Sequence, residues 1–250
     1  MNIMFEEIDF RKTPIGELAL RRRRLRPDGE DIWEIKLDDG YLMSSQFVEG
    51  EIALSKLALR ELHTDRLDVV VGGLGLGYTA RAALEDPRVV EMIVVELIPE
   101  VIEWHRAHLV PLGQTVADDP RSRLVQGDFF AMAGSSAGFD PASPGRRFDA
   151  VLVDIDHSTT HLIDQSSASF YGSSGLAAIA RQLHPGGIFG LWSSGGEDAD
   201  FLRAMREAFD EVRADRVEFL NPYLDEEAFN IVYLGRRGPN PVPIAGPDAR

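Results

Sequence analysis

The chain has 250 residues, of which 44% are apolar, so it is long enough for one sizeable domain with a buried core. It contains no cysteine, which excludes disulfides and thiolate metal sites, and we predict no metal site. Asp and Glu total 41 against 26 Lys and Arg. The resulting net charge of −15 disfavours nucleic acid as a partner and favours cationic small molecules, although an acidic surface that serves solubility alone would also produce it.

No targeting or membrane signal is present in the sequence. Residues 1–12 carry acids where a signal peptide carries bases and an apolar run. No stretch reaches the roughly 18 consecutive apolar residues that a membrane helix needs. We therefore expect a cytoplasmic protein that does not contact a membrane.

Residues 1–62 are predicted to form a small N-terminal β region followed by a linking helix. The predicted elements are strands at 17–25, 31–37 and 41–45 and a helix at 49–62, and the turn signals are Pro27-Asp28-Gly29 and Asp38-Asp39-Gly40. Arginines at positions 21–24 and 26 could contact phosphates. Strand arginines more often line a solvated face or pair with acids, and we favour that interpretation.

From residue 63 to 236 strands and helices alternate, which predicts an α/β domain with a parallel sheet. Strands are predicted at 67–71, 89–97, 123–126, 148–155 and 188–192, helices at 78–84, 99–109, 175–183 and 199–212, and a closing strand pair at 217–220 and 229–234. The helix at 175–183 is predicted to end at His184-Pro185-Gly186-Gly187. Because no helix joins the last two strands, we expect them to be antiparallel, and residues 237–250 are predicted to be a disordered tail.

A glycine-rich loop directly follows the first of these strands and opens a helix. It contains Gly72, Gly73, Gly75 and Gly77. Glycines at such a position let backbone amides approach a ligand closely, and the helix N-terminus favours negative charge. The loop therefore predicts a nucleoside site, although a glycine-rich turn alone is weak support.

Acids at the ends of the next two strands strengthen this prediction. Glu96, followed by Leu97, lies about 20 positions after the loop, where an acid can bind both ribose hydroxyls. Asp128 and Phe129 follow the third strand, at the sheet edge where ligands bind in open α/β folds. Glu96 could instead be a surface acid and Asp128 could simply cap a turn.

A nicotinamide dinucleotide is a less favoured ligand for this loop. The glycine spacing is G-x-G-x-G rather than G-x-G-x-x-G, and a closing strand pair is unusual for a dehydrogenase. An acid after the third strand also suits an adenine amino group. These features favour a nucleoside of the S-adenosylmethionine type.

The end of the fourth strand carries the predicted catalytic residues Asp154, Asp156 and His157. Strand alternation would place both aspartates on one face. A carboxylate there can anchor an ammonium group, orient an acceptor amine or take its proton. His157 is a candidate base, although a lone histidine is more often structural.

Together these features resemble the spermidine synthase-like branch of the class I methyltransferase fold over residues 13–236. The resemblance rests on Leu37-Asp-Asp-Gly40, the glycine loop, Glu96, Gly127-Asp128, the strand ending in Asp154, Leu183-His-Pro-Gly-Gly187 and Phe229-Asn-Ile-Val-Tyr-Leu234. It implies a Rossmann-like, mostly parallel seven-stranded sheet with a closing antiparallel pair. It also implies that Glu96 binds ribose, Asp128 holds adenine and Asp154 helps to deprotonate an attacking amine.

The chain departs from the aminopropyltransferases of this branch at four positions. Their loop reads G-G-G-D-G-G, with an Asp that binds the ammonium of decarboxylated S-adenosylmethionine, and this chain has Gly75 there. A cofactor-contacting Gln is replaced by Met43, a Tyr by Ile52, and the second Asp of D-S-S-D-P by His157. Loss of the Asp carboxylate that pairs with this ammonium would remove about 2–3 kcal/mol of charge-assisted binding.

We therefore expect a transferase that moves a methyl group from S-adenosylmethionine to a small-molecule acceptor, which could be a cationic amine. The alternatives are aminopropyl transfer from decarboxylated S-adenosylmethionine to a polyamine, a non-catalytic nucleoside-binding protein and, more distantly, a dehydrogenase. The N-terminal β region could form a homodimer contact. The identity of the acceptor depends on loops, and the sequence does not predict which acceptor they select.

Overall fold

A computed structural model describes residues 5–24, 29–221 and 226–239 of the chain. Pro27 and Asp28 of the first predicted turn, Arg26 and the predicted tail from residue 240 onward lie outside the described residues. No helix in these ranges is long and apolar enough to cross a membrane.

The N-terminal part forms a four-stranded antiparallel sheet in the order β1-β2-β3-β4. Its strands are β1 (Phe5–Thr13), β2 (Gly16–Arg23), β3 (Ile32–Leu37) and β4 (Gly40–Ser44). β1 was not predicted, because most of its residues are at least partly exposed and no apolar alternation marks it. At the predicted turn, Asp38 takes a positive φ of 51° and its Oδ1 accepts the backbone N–H of Glu17.

The arginine run on this sheet is paired with acids. The pairs are Arg21 with Glu7, Arg22 with Glu6, Arg23 with Glu34, and Arg24 with Asp31. This arrangement agrees with the favoured interpretation of the run as a charge-paired face rather than a phosphate site.

A seven-stranded sheet follows helix α1 (Glu49–Arg60). Its strands are β5 (Leu67–Gly72), β6 (Val89–Glu96), β7 (Ser122–Gln126), β8 (Phe148–Val153), β9 (Leu183–Ser193), β10 (Asp210–Asn221) and β11 (Glu226–Arg236), in the order β10-β11-β9-β8-β5-β6-β7. The strands from β9 to β7 are parallel, and β11 pairs antiparallel with both β9 and β10. The predicted sheet with its closing antiparallel pair is confirmed.

Helices cover both faces of this sheet. They are α2 (Tyr78–Leu84), α3 (Pro99–Arg106), α4 (Gly113–Ala117), α5 (Phe129–Gly134), α6 (Ser173–Gln182) and α7 (Ala199–Ala208), with a 3₁₀ helix at Gln165–Tyr171. The sequence did not predict α4, α5 or the 3₁₀ helix, since each is only five to seven residues long.

Several predicted boundaries were wrong, among them the end of α3 at Arg106 and the start of β10 at Asp210. Residues 184–187 do not cap a helix: they lie in β9, and the Arg237 N–H donates to the Gly187 carbonyl while the Gly186 N–H donates to the Arg237 carbonyl. Arg237 therefore belongs to the folded sheet edge rather than to a disordered tail. Helix α7 ends at Ala208 because the ring of Phe209 turns inward and stacks on Phe189 at 5.2 Å.

The apolar core lies on both faces of the seven-stranded sheet. Along β5, Val69 and Val71 face one cluster and Val70 faces the other, as expected of a strand buried on both sides. The first cluster also contains Leu18 and Leu20 of the N-terminal sheet. The two sheets therefore share one core, and the glycine loop follows β5 directly above it.

Candidate active site

A cavity of about 540 Å³ opens at the carboxyl ends of the parallel strands, the usual ligand edge of such sheets. Eight of the predicted site residues line it: Gly73, Gly75, Glu96, Leu97, Asp128, Phe129, Asp154 and His157. Gly72, Gly77 and Asp156 do not. Among the described residues, the lining includes four acids and no lysine or arginine.

The glycine loop passes very close to the end of β8. Gly73 has φ +89°, its N–H donates to the Val95 carbonyl at 2.9 Å, and a Cβ there would overlap the carbonyl oxygen of Asp154. Gly75 has φ +47°, and a Cβ there would lie 2.6 Å from Sδ of Met43. At Gly73 only glycine satisfies both the backbone angle and the close approach to backbone, whereas at Gly75 the neighbouring atom is the flexible end of Met43 and the positive φ alone favours glycine.

Glu96, at the end of β6, holds the loop from below. Its Oε2 accepts the Leu74 N–H at 2.9 Å and its Oε1 accepts the Ile98 N–H at 2.8 Å. Burial raises the pKa of this carboxyl group above its ordinary value, while the backbone N–H groups act in the opposite direction. Its side chain is therefore fixed where the cavity meets the loop.

Asp128 follows β7 and lies on the cavity wall while capping α5. Its Oδ1 accepts the N–H groups of Phe130 and Ala131 at 2.9 and 3.1 Å. The capping role that the sequence allowed is thus present, and the residue also lines the cavity. Phe129 beside it packs on Gly72 and stacks on Phe139 at 4.8 Å, which closes the cavity floor.

Asp154, directly after β8, points into the cavity beside the glycine loop. The Thr79 hydroxyl donates to its Oδ2 at 2.6 Å, and its own N–H donates to the Gly72 carbonyl at 2.8 Å. Burial raises the pKa of its carboxyl group, and the Thr79 hydrogen bond opposes that rise. A carboxylate of raised pKa is suited to accept a proton near neutral pH.

Glu51, near the start of α1, is a cavity acid that sequence reasoning missed. It is buried, and its Oε2 has no hydrogen-bond partner among the described residues. Burial, followed by repulsion from Asp154, raises the pKa of its carboxyl group. The signal was available, since Glu51 shares the buried helix face with Leu54 and Ala58, a position where an unpaired acid is unusual.

Asp156 does not share a face with Asp154, contrary to the prediction from strand alternation. β8 ends at Val153, so the alternation stops before either aspartate. Asp156 is buried away from the cavity and accepts hydrogen bonds from the Ile163 N–H and the Tyr171 hydroxyl, both at 2.6 Å. These contacts indicate that it anchors residues 163–171 rather than a substrate.

His157 lies half-buried on the cavity wall, with its ring 5.0 Å from that of His161. Burial lowers the pKa of His157, and the neighbouring His161 lowers it further. The imidazole is therefore neutral at pH 7 and adds no positive charge to the cavity.

No protein-family model matches the chain. Curated relatives include the polyamine aminopropyltransferase of Pyrobaculum calidifontis, 26% identical over 182 residues that make up 71% of this chain and 57% of that protein. Polyamine aminopropyltransferase 2 of Pseudomonas aeruginosa is 26% identical over 225 residues, 81% of this chain and 60% of that protein. The Mycobacterium tuberculosis polyamine aminopropyltransferase is 33% identical over 181 residues, which make up 72% of this chain and 31% of that protein. The chain thus spans less than two thirds of each relative.

Solved structures agree on the fold. Spermidine synthase from Thermotoga maritima superposes with a TM-score of 0.67 at 18% identity, over 94% of this chain and 74% of that one. A spermidine synthase in complex with the transition-state analogue AdoDATO gives a TM-score of 0.70 at 18% identity, over 94% and 75%. The chain is a spermidine synthase-like protein of the class I methyltransferase fold.

Within this spermidine synthase-like fold, the predicted departures from the resemblance have structural consequences. Met43 accepts the Leu76 N–H on its Sδ at 3.1 Å and so supports the loop from the N-terminal sheet. His105, which the sequence did not single out, lies 2.9 Å from the Gly75 carbonyl through Nε2. Burial lowers the pKa of His105 to about 4, so the ring is neutral and donates that hydrogen bond. Ile52 does not line the cavity.

The half of the cavity beyond Asp154 is apolar and aromatic. In this half, β9, β10 and β11 contribute Trp192, Phe219, Ala228 and Phe229 to the lining. The polar side chains that these strands add, among the described residues, are all neutral. Glu96, Asp128 and Asp154 lie at the ends of β6, β7 and β8, and Glu51 lies on α1, which packs against β9 and β11. A ligand that spans the cavity would therefore place its charge at the acids and its hydrocarbon part against the aromatic rings.

Proposed function

We propose that the chain is an aminopropyltransferase that binds decarboxylated S-adenosylmethionine and transfers its aminopropyl group to a small-molecule amine. The observation that carries this proposal is the lining of the cavity: the carboxyl groups of Glu51, Glu96, Asp128 and Asp154 face it, and no lysine or arginine does so among the described residues. Intact S-adenosylmethionine carries a carboxylate that such a cavity would repel, whereas the decarboxylated form is only cationic.

This proposal replaces the expectation of methyl transfer. The curated relatives are named polyamine aminopropyltransferases, and they support aminopropyl transfer, which was the first alternative in the sequence analysis. Methyltransferases match only at the level of the fold, as the N-methyltransferase NodS from Bradyrhizobium japonicum does with a TM-score of 0.52 at 13% identity.

The nucleoside fits the acidic half of the cavity. Gly73 and Gly75 have no side chain, so their backbone is open to the cavity. A Cβ at either position would meet neighbouring atoms. Glu96 would bind the ribose hydroxyls and Asp128 the adenine amino group, with Leu97 and Phe129 as apolar walls. Among these four side chains, Leu97 and Asp128 are exposed and can be covered by a ligand.

When bound, decarboxylated S-adenosylmethionine supplies a carbon made electrophilic by the adjacent sulfonium and a neutral thioether as leaving group. Asp154 orients the acceptor amine by accepting an N–H hydrogen bond. Its carboxylate then takes the proton that the nitrogen loses as the new C–N bond forms, and the electron pair of the broken C–S bond stays on sulfur. Catalysis rests mostly on this positioning.

The test is product formation with each donor. We expect decarboxylated S-adenosylmethionine and 1,4-diaminobutane to yield 5′-methylthioadenosine, and S-adenosylmethionine to yield no S-adenosylhomocysteine. Asp154→Asn should lower kcat by about 100-fold or more, the usual contribution of a positioned base, whereas the exposed Asp118→Asn should not. Formation of S-adenosylhomocysteine from S-adenosylmethionine would instead support the hypothesis of methyl transfer. Nucleoside binding without turnover on any amine would favour a non-catalytic protein.

A further inference from the structure

Glu51 is a buried carboxyl group with one unpartnered oxygen, in a cavity whose described lining contains no lysine or arginine. It is 6% exposed, and its Oε2 receives no hydrogen bond in the described part of the chain. An unpaired buried polar group costs free energy unless a ligand satisfies it. Glu51 lines the same cavity as the glycine loop and Asp154, so a ligand in that cavity can reach it.

We propose that Glu51 and Asp154 together form a binding site for a primary alkylammonium group. Such a group has three N–H donors and a single positive charge, which match the free Oε2 of Glu51 and the Asp154 carboxylate. Trp192 lines the cavity as well and offers an apolar surface to the adjoining alkyl chain. This inference deepens the proposed function and rests on it for the identity of the ammonium-bearing donor.

The groups around Glu51 and Asp154 couple the binding of an ammonium ligand to the release of a proton. The charged or titratable groups that act on Glu51 are Asp154 on the neighbouring strand end, Glu49 on the same helix and Tyr78 on α2. None of them is a cation. Without a ligand, Glu51 therefore retains its proton at neutral pH, and an ammonium that binds beside it ionises it and releases that proton.

The sign of the pH dependence follows from this release. The ligand binds the ionised pair, so its affinity rises with pH, by up to about tenfold per pH unit, over the range in which free Glu51 is protonated. The rise ends where free Glu51 loses its proton, at its raised pKa of about 9, and affinity falls again where the amine loses its own proton, at about pH 10. A neutral nucleoside such as 5′-methylthioadenosine has no ammonium and should show no such dependence.

The experiment is calorimetric titration at pH 7 in two buffers of different ionisation enthalpy, with decarboxylated S-adenosylmethionine, 5′-methylthioadenosine and 1-aminopropane as separate probes. We expect the two ammonium-bearing probes to release about one proton on binding, and 5′-methylthioadenosine to release none. Glu51→Gln should weaken decarboxylated S-adenosylmethionine by roughly 10- to 100-fold and abolish its proton release. Binding of 5′-methylthioadenosine should be unchanged, which also shows that the variant is folded.

The matched control is Glu49→Gln, an exposed glutamate two residues earlier on the same helix. Its effect on the pKa of Glu51 is smaller than that of Asp154, so the affinities of this variant should stay close to those of the unaltered chain. If both nucleosides bind and Glu51→Gln weakens neither, the ammonium site is wrong and the proposed function stands. If neither nucleoside binds the unaltered chain, the proposed function fails. In that case, binding of 1-aminopropane that Glu51→Gln weakens would still support the ammonium site, and no such binding would overturn it.

Discussion

Glu96 illustrates how one side chain serves both the fold and the site. Each oxygen of its carboxylate accepts one backbone N–H, from Leu74 in the glycine loop and from Ile98 after β6. Sequence spacing predicted an acid at this position, because strand length and loop length fix it about 20 residues after the glycines. The two hydrogen bonds could not be predicted, since they depend on how the loop and the strand end approach each other.

Glu96→Gln should therefore change stability and nucleoside binding together. The new amide places an NH₂ group opposite one backbone N–H, and a buried donor left without an acceptor costs about 1–3 kcal/mol. We expect the free energy of unfolding, measured by urea denaturation, to fall by this amount. We also expect a lower affinity for 5′-methylthioadenosine, measured by calorimetry. Glu103→Gln, at an exposed position of α3, serves as the control. Unaltered nucleoside affinity in Glu96→Gln would contradict the ribose role.

The carboxyl pair of Glu51 and Asp154 predicts a pH-dependent stability. Burial raises the pKa of both groups in the folded chain above the unfolded values. The folded state then binds more protons than the unfolded state, so stability falls as pH rises from the ordinary carboxyl range toward the raised values. Each such group contributes a slope of up to about 1.4 kcal/mol per pH unit.

Glu51→Gln removes one of these groups and should flatten the profile. We expect the free energy of unfolding of the variant, measured by urea denaturation between pH 5 and 8, to exceed that of the unaltered chain increasingly as pH rises. Glu49→Gln should follow the unaltered chain. A constant difference between Glu51→Gln and the unaltered chain across this range would show that the carboxyl group is not held protonated by its surroundings.

At the scale of elements, the strength of a local pattern decided which predictions were confirmed. β5 and α2 were found closely as predicted, because an apolar run, a glycine cluster and helical spacing coincide there. β1 and the first residues of β9 were missed, since their pairing partners, not their own residues, make them strands. Residues 184–187 carry a helix-ending pattern, but Leu183 and Ile188 on either side pair with β8, and Gly186 and Gly187 form backbone hydrogen bonds with Arg237.

The glycine loop is the element whose geometry the site depends on most. Gly73→Ala adds a Cβ that would overlap the Asp154 carbonyl in a backbone conformation unfavourable to alanine. We expect a loss of at least about 1–3 kcal/mol in urea denaturation and a loss of nucleoside binding. Gly134→Ala, in an exposed helical position with open space around it, should be neutral or stabilising. Equal effects of the two variants would contradict the close approach of loop and strand.

At the scale of the whole molecule, the sheet order places chemically different residues on the two halves of one cavity. Glu96, Asp128 and Asp154 follow β6, β7 and β8, whereas β9, β10 and β11 contribute Trp192, Phe219 and Phe229. Glu51 enters the cavity from α1, which packs against β9 and β11. The sequence predicted the acids at the strand ends, because parallel strands end at one edge. It could not predict that Glu51 joins them or that Asp156 turns away, since both depend on how α1 and residues 163–171 pack.

The measurement that tests this account most directly is a parallel calorimetric titration of the unaltered chain with decarboxylated S-adenosylmethionine and with S-adenosylmethionine. The two ligands share the nucleoside and the sulfonium and differ only in one carboxylate, which an acidic cavity should reject. We predict that the decarboxylated ligand binds at least about tenfold more tightly, a difference of about 1.4 kcal/mol. Tighter binding of intact S-adenosylmethionine would contradict the account and direct the search for an activity back to methyl transfer.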